Sequence, residues 1–160
     1  MIQFQIGDKA VYPAQGVAEV VGIDEKEISG KVLRFYSLRV LQSDMRILVP
    51  IDKAEDVGLR QVLPVEQLAE VYDILRQPGA LRDKQTWNRR YRGFIEKLKT
   101  GDIHELAEVV HDLGKGQRLL SFSEKRMLST ASNLLVTEVA ISKGTSEESV
   151  KEELQQLLAA

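Results

Sequence analysis

The chain has 160 residues, 43% of them apolar and 29% charged, with a formal net charge of −2 and no cysteine. That composition excludes a disordered or fibrous chain, a disulfide framework, a thiolate metal site and a cysteine nucleophile. The balance also excludes a generic polyanion binder, but it conceals one basic block. Residues 82–99 hold Arg82, Lys84, Arg89, Arg90, Arg92, Lys97 and Lys99 against only Asp83 and Glu96. Residues 1–20 carry Asp8, Lys9 and Glu19 and do not read as a secretory signal. The longest mostly apolar stretch, Leu134–Ile141, contains Glu138 and is too short to span a bilayer. The expected location is the cytoplasm.

The first sixty residues read as short strands. Met1–Ile6 leads to the turn Gly7-Asp8, and Lys9–Tyr12 follows, closed by Pro13 and Gly16. Val17–Ile28 is rich in β-branched residues and ends at Ser29-Gly30. Val32–Leu41 runs to Ser43-Asp44, Met45–Val49 stops at Pro50, and Leu59–Val62 adds a last strand. Four or five such strands joined by tight turns predict a small, strongly bent sheet or partly open barrel.

Past Pro64 the period becomes helical. Leu68, Val71, Tyr72 and Leu75 form a stripe that Pro78-Gly79 breaks, with Pro64 at the first helical position. A second helix starts near Asp83–Thr86 and ends at Thr100-Gly101, and a third covers Asp102–Leu113. The fourth opens on the capping-box string Ser121-Phe122-Ser123-Glu124 and runs to Lys143, with Gly144 as its C-cap. The last opens on a second such string, Thr145-Ser146-Glu147-Glu148. The expected fold is α+β in two domains, a bent sheet or barrel over 1–62 and a compact helical bundle over 63–160.

Few residues suggest catalysis. His104, Glu108 and His111 fall at i, i+4 and i+7 on one helix face, read as its solvent side, with no other His or Cys to complete a metal site. Gly114-Lys115-Gly116 closes a helix and does not follow a strand, so it is no phosphate-cradling loop. The expectation is a protein without enzymatic activity, metal or cofactor. The basic block differs. On a helix, Trp87, Tyr91, Phe94 and Leu98 form one stripe, Arg89 and Arg92 point away from it, and Arg90 lies on its border. Trp87 is either a core residue or, in the first turn, an overhanging ring suited to stack against bases while arginines neutralise phosphates. Periodicity leaves both open.

Several strings, in order over almost the whole chain, resemble the CarD/CdnL family of bacterial transcription regulators. They are Gly7-Asp8-Lys9-Ala10-Val11-Tyr12-Pro13 with Gly16, Val49-Pro50-Ile51, Val57-Gly58-Leu59-Arg60 and Trp87-Asn88-Arg89-Arg90-Tyr91. Ala107-Glu108-Val109-Val110, Asp112-Leu113 and Ser123-Glu124-Lys125-Arg126-Met127-Leu128 continue the set. The resemblance implies a Tudor-like amino-terminal domain that docks on the RNA polymerase β subunit. It also implies a helical domain that contacts promoter DNA at the upstream edge of the bubble and favours the open complex, notably at ribosomal RNA promoters.

By position, Trp87 resembles the family's minor-groove tryptophan, and Arg89, Arg90 and Arg92 its basic DNA contacts. For the polymerase side the family implies pairing of a sheet edge with a β-subunit strand. Met45–Pro50 is the candidate edge, because Pro50 lacks an amide. Arg46 and Leu48 are the candidate side-chain contacts, with barrel core the other reading of Leu48, and Lys26 falls where the family often has a basic residue. No basic or proline-rich extension is present, so a self-contained monomer that binds DNA weakly without polymerase is expected. The alternative is an interaction scaffold that makes no direct DNA contact.

Overall fold

In the computed structural model, which describes residues 3–79, 87–115 and 119–160, the chain divides into two units, Met1–Val62 and Leu63–Ala160. The first is built from alternation. Strands β1 (Lys9–Tyr12), β2 (Gly16–Ile28), β3 (Lys31–Val40), β4 (Arg46–Pro50) and β5 (Arg60–Gln61) form one antiparallel sheet in the order β4-β3-β2-β1-β5. Their inward positions supply the core, including Ala10, Ala18, Val20, Tyr36, Leu38, Val40 and Val49. The β2–β3 hairpin closes Ile28 onto Lys31 through Ser29 and Gly30, both left-handed at φ 54° and 79°. That is the two-residue turn whose twist matches the strands, and Gly30 meets it without a Cβ penalty.

Residues 3–6, expected as strand, are not one. Gln5 is used by a turn: its N–H donates to Asp8 Oδ2 at 2.8 Å, and its carbonyl accepts from Asp8 N–H at 3.0 Å. Phe4 instead plugs the core, its N–H donating to Tyr36 Oη at 3.1 Å and its ring edge-on to Tyr36 at 5.8 Å.

The second unit comprises α1 (Leu68–Arg76), α2 (Trp87–Thr100), α3 (Ile103–Gly114), α4 (Phe122–Lys143) and α5 (Glu147–Ala159). The α+β class expected from the sequence is what the chain adopts. Pro64 stays extended at ψ 144° before a 3-10 turn over Val65–Gln67, so α1 starts later than Pro64 suggested. The stretch 83–86, expected to open α2, lies outside the described residues. Ser121 and Glu124 form the full capping box of α4, and Gly144, at φ 69°, ends it. For α5 the cap is Ser146, which accepts from Ser149 N–H, and not Thr145. With serine at the third helical position, no second box closes. The stripes of all five helices meet in one core around Leu75, Phe94, Val110, Leu113, Leu135 and Leu154. Lys115 Nζ donates to the carbonyls of Leu75 (3.3 Å) and Leu157 (2.7 Å), satisfying the ends of α1 and α5 together.

The polar face read on α3 is partly internal. His111 is buried, with Nε2–H donating to the Gln77 carbonyl at 2.8 Å, because the chain after α1 folds over it. This corrects the solvent-side reading. Glu108 pairs with Lys97 at 2.9 Å. His104 bridges Glu70 Oε2 (2.9 Å) and Asp102 Oδ1 (3.1 Å), an arrangement that both ring N–H groups of the charged form satisfy. Partial burial disfavours that charged form, but the two carboxylates outweigh it and raise the pKa above its ordinary 6.5. The stability they add is present in full below the unfolded-state value and is lost as pH rises through the raised folded-state one. His104→Gln should therefore lower the thermal midpoint relative to wild type at about pH 6, and by much less at about pH 8.5.

Candidate functional site

Strand β4 pairs with β3 alone and forms one edge of the sheet. Its alternation decides the open question of Leu48: Val49 is buried and Leu48 is exposed, at 44%. The register places Arg46 opposite Arg39, Leu48 opposite Ser37 and Pro50 opposite Phe35, so these pairs share the outer face. Lys26 joins that face, because it pairs with Leu33, two residues from Phe35, and its Nζ lies 6.0 Å from the Phe35 ring centre. Arg46, Leu48, Pro50 and Lys26 thus lie on one side of the sheet. Phe35 belongs with them and was missed. The available signal was the alternation of Phe35 with buried Tyr36 and Leu38, legible only once the register is known.

The basic block is sorted by the packing of α2 on α4. Trp87 is half-buried. Its Nε1–H donates to Ser123 Oγ at 3.1 Å, and its ring meets Tyr91 edge-on at 5.7 Å and Phe94 at 6.1 Å. The ring is neither fully in the core nor a free wedge. Arg90 is turned inward, with its side chain 17% exposed. Its guanidinium lies 5.6 Å from the Trp87 ring centre and 5.7 Å from that of Phe94, and 3.7 Å from Glu124 Oε2. It braces the ring instead of extending to solvent beside Arg89 and Arg92, which are exposed. Glu124 serves both the capping box of α4 and this brace.

Two exposed apolar residues escaped the sequence reading. Phe122 is 80% exposed and Leu119 90%. Phe122 stands inside the capping-box string and precedes the serine that holds Trp87. In the first turn of α4, its ring stands in water. Between α2 and α4 lies an open cleft of about 510 Å³, lined by Tyr91, Ile95, Leu98, Ser123, Arg126, Met127 and Thr130. Among the described residues no group of three His, Asp or Glu side chains is placed to hold a metal ion. No described helix is long and apolar enough to cross a membrane.

A small sheet with an open edge and a helical unit with an aromatic-basic surface are the two modules of the chain. The comparisons make the class specific. Residues 4–63 match the family model described as CarD-like/TRCF RID domain, and residues 70–155 match that of the CarD C-terminal domain. The chain is 36% identical over 150 residues to "Putative transcription factor YdeB" of Bacillus subtilis (strain 168), covering 92% of this chain and 97% of that protein. Among solved structures it is similar to CdnLNt from Myxococcus xanthus, at 51% identity over 39% of this chain and 89% of that one, with a TM-score of 0.34. The solution structure of the 72-residue N-terminal domain of Myxococcus xanthus CarD matches at 38% identity over 38% of this chain and 81% of that one, with a TM-score of 0.33. The chain belongs to the CarD-like family of transcription regulators.

The half-buried ring gives a stability prediction. Trp87→Ala should cost roughly 1–3 kcal/mol, below the ~3–5 kcal/mol of a fully buried aromatic. Because Trp87 is the only tryptophan, Arg90→Ala should shift the intrinsic fluorescence to the red and make it more quenchable. An unmoved spectrum would show that Arg90 does not hold the ring. On the sheet, Leu48→Arg should leave the thermal midpoint near wild type, whereas Val49→Ala should cost roughly 2 kcal/mol in denaturant unfolding.

Proposed function

We propose that this transcription regulator acts on initiation, with the β4 edge docking on the RNA polymerase β subunit and the exposed side of α2 meeting promoter DNA upstream of the bubble. The observation that carries the reading is β4 itself: an edge strand, with Arg46 and Leu48 exposed beside its unpaired side and Pro50 ending it. Such an edge accepts a partner strand by main-chain pairing, while alternate side chains select the partner. Lys26, Phe35, Leu48 and Pro50 would supply that selection on the outer face.

On α2, Arg89 and Arg92 would neutralise phosphates and set position. The braced Trp87 ring, with exposed Phe122 nearby, would press against a base step already distorted in open DNA. Stacking on such a step favours DNA that is bent or unpaired there over the regular duplex. A ligand that prefers one of two states shifts the equilibrium by its differential affinity, so the open complex gains lifetime without any reaction, ribosomal RNA promoters included. The net charge of −2 fits weak DNA binding without polymerase.

A second reading has one observation in its favour. Trp87 and Arg90 are both tied to α4, through Ser123 and Glu124, as a purely packed scaffold would have them. Full-length variants separate the two. Leu48→Arg should lose capture of RNA polymerase while staying folded. Arg89→Glu with Arg92→Glu should keep capture but shorten the open-complex half-life, with a weaker salt dependence than wild type. Unchanged capture by Leu48→Arg sinks the edge-docking assignment. Unchanged half-life in the arginine variant favours the scaffold.

A further inference from the structure

Leu63 opens the helical unit, and both of its backbone polar groups are held by α4. Its N–H donates to Glu138 Oε2 at 3.0 Å, and its carbonyl accepts from Ser142 Oγ. Glu138 and Ser142 stand one turn apart on the same face of α4. Glu138 is only 2% exposed. A carboxylate that far from water is stable only where it receives hydrogen bonds, so its place opposite a main-chain amide is strongly favoured. Pro64 follows, and its ring keeps Leu63 extended. On the other side, Gln61 is the last residue of the sheet, paired with Ala10. Val62 alone lies between the ladder and the clasp.

We propose that Glu138 and Ser142 clasp Leu63 so that the flexible connection between the two units is confined to Val62. They are positioning residues: they limit how far the helical unit can wander once the sheet is docked, a role that rests on the function proposed above. One residue spans at most about 3.6 Å. Opening the clasp would release Leu63 and Pro64 as well, up to the 3-10 turn that begins at Val65. A longer free connector lowers the effective concentration of the helical unit at its target, with no contact to that target changed.

The chain has no cysteine, so Lys31→Cys and Lys151→Cys, at exposed positions of the two units, place a dye pair without background. Single-molecule energy transfer in the free full-length protein should give a narrow distribution for the otherwise wild-type chain. Glu138→Gln should match it, since the amide oxygen still accepts from Leu63 N–H. Glu138→Ala with Ser142→Ala should broaden it, with exchange of the Leu63 amide about tenfold faster or more. Because that variant can fail to fold, a Gly-Gly-Ser insertion between Val62 and Leu63 supplies an independent arm: it should broaden the distribution and leave Leu63 protected. A wild-type distribution already as broad as that of the insertion variant overturns the clasp. So does a folded double variant as narrow as wild type. On polymerase, the double variant and the insertion should retain capture and shorten the open-complex half-life several-fold. A broadened distribution with an unchanged half-life overturns the positioning role. A wild-type protein that never lengthens the half-life overturns the proposed function instead, while the energy-transfer arm still judges the clasp.

Discussion

Along α4, the residues from Leu135 to Ala140 are buried on every side, and the helical unit depends on that fact. A helix with no face left to water must be wrapped by its neighbours, and α3, α5 and the turn before α1 do the wrapping. The polar groups carried inward are the ties that fix where those neighbours sit. The Thr137 hydroxyl lies 2.7 Å from Glu147 Oε1 at the start of α5, and Glu138 receives Leu63. One turn on, Lys143 binds Glu153 at 2.8 Å, close to the Tyr72 hydroxyl. The Glu153 pKa is lowered chiefly by that lysine hydrogen bond, and Lys143 is raised in return. A buried helix of this kind tolerates polar residues only where each meets a partner, and here the partners tie α4 to α5, to α1 and to the residue that opens the unit.

The sheet follows a different constraint. In a five-stranded open sheet two strands must lack a neighbour, and the exposed row of main-chain groups on an edge is a hazard unless it is short, twisted or used. Strand β5 is only two residues long. Strand β4 is longer, is terminated by Pro50, and carries exposed Arg46 and Leu48. The arginine and the terminal proline discourage indiscriminate pairing along that edge.

On the α2 surface the packing leaves the Trp87 ring partly exposed and yet ordered. Trp87 is held at its indole N–H by Ser123, beneath by Phe94, and across its ring by a guanidinium that is itself ion-paired. Ordering a side chain before binding removes an entropic cost from the binding step. Of Arg89, Arg90 and Arg92, one supplies that order and two face water, so a local charge excess in sequence overstates the charge turned to solvent.

Much of the architecture was legible along the chain. The change of period from two to 3.6 near Pro64 marks the passage from sheet to helices, because side chains alternate across strands and recur each turn on helices. Ser121 with Glu124, and Gly144, announce the ends of α4, since caps are satisfied within a few residues of themselves. Ordered strings spread over both units carried the family. What the sequence left open depended on partners far away in the chain. The side of β4 that carries Leu48 is set by pairing with β3, and a slip of one residue would have exchanged it with Val49. Arg90 turns inward because Glu124 and the Trp87 ring await it, and Trp87 is anchored by a serine 36 positions on. His111 is buried by the Gln77 carbonyl, 34 positions back, and Leu63 is held by a carboxylate 75 positions on. Local periodicity tells which residues share a face. Only tertiary packing decides what that face meets, because the free energy of burying or pairing a side chain belongs to the pair and not to the residue.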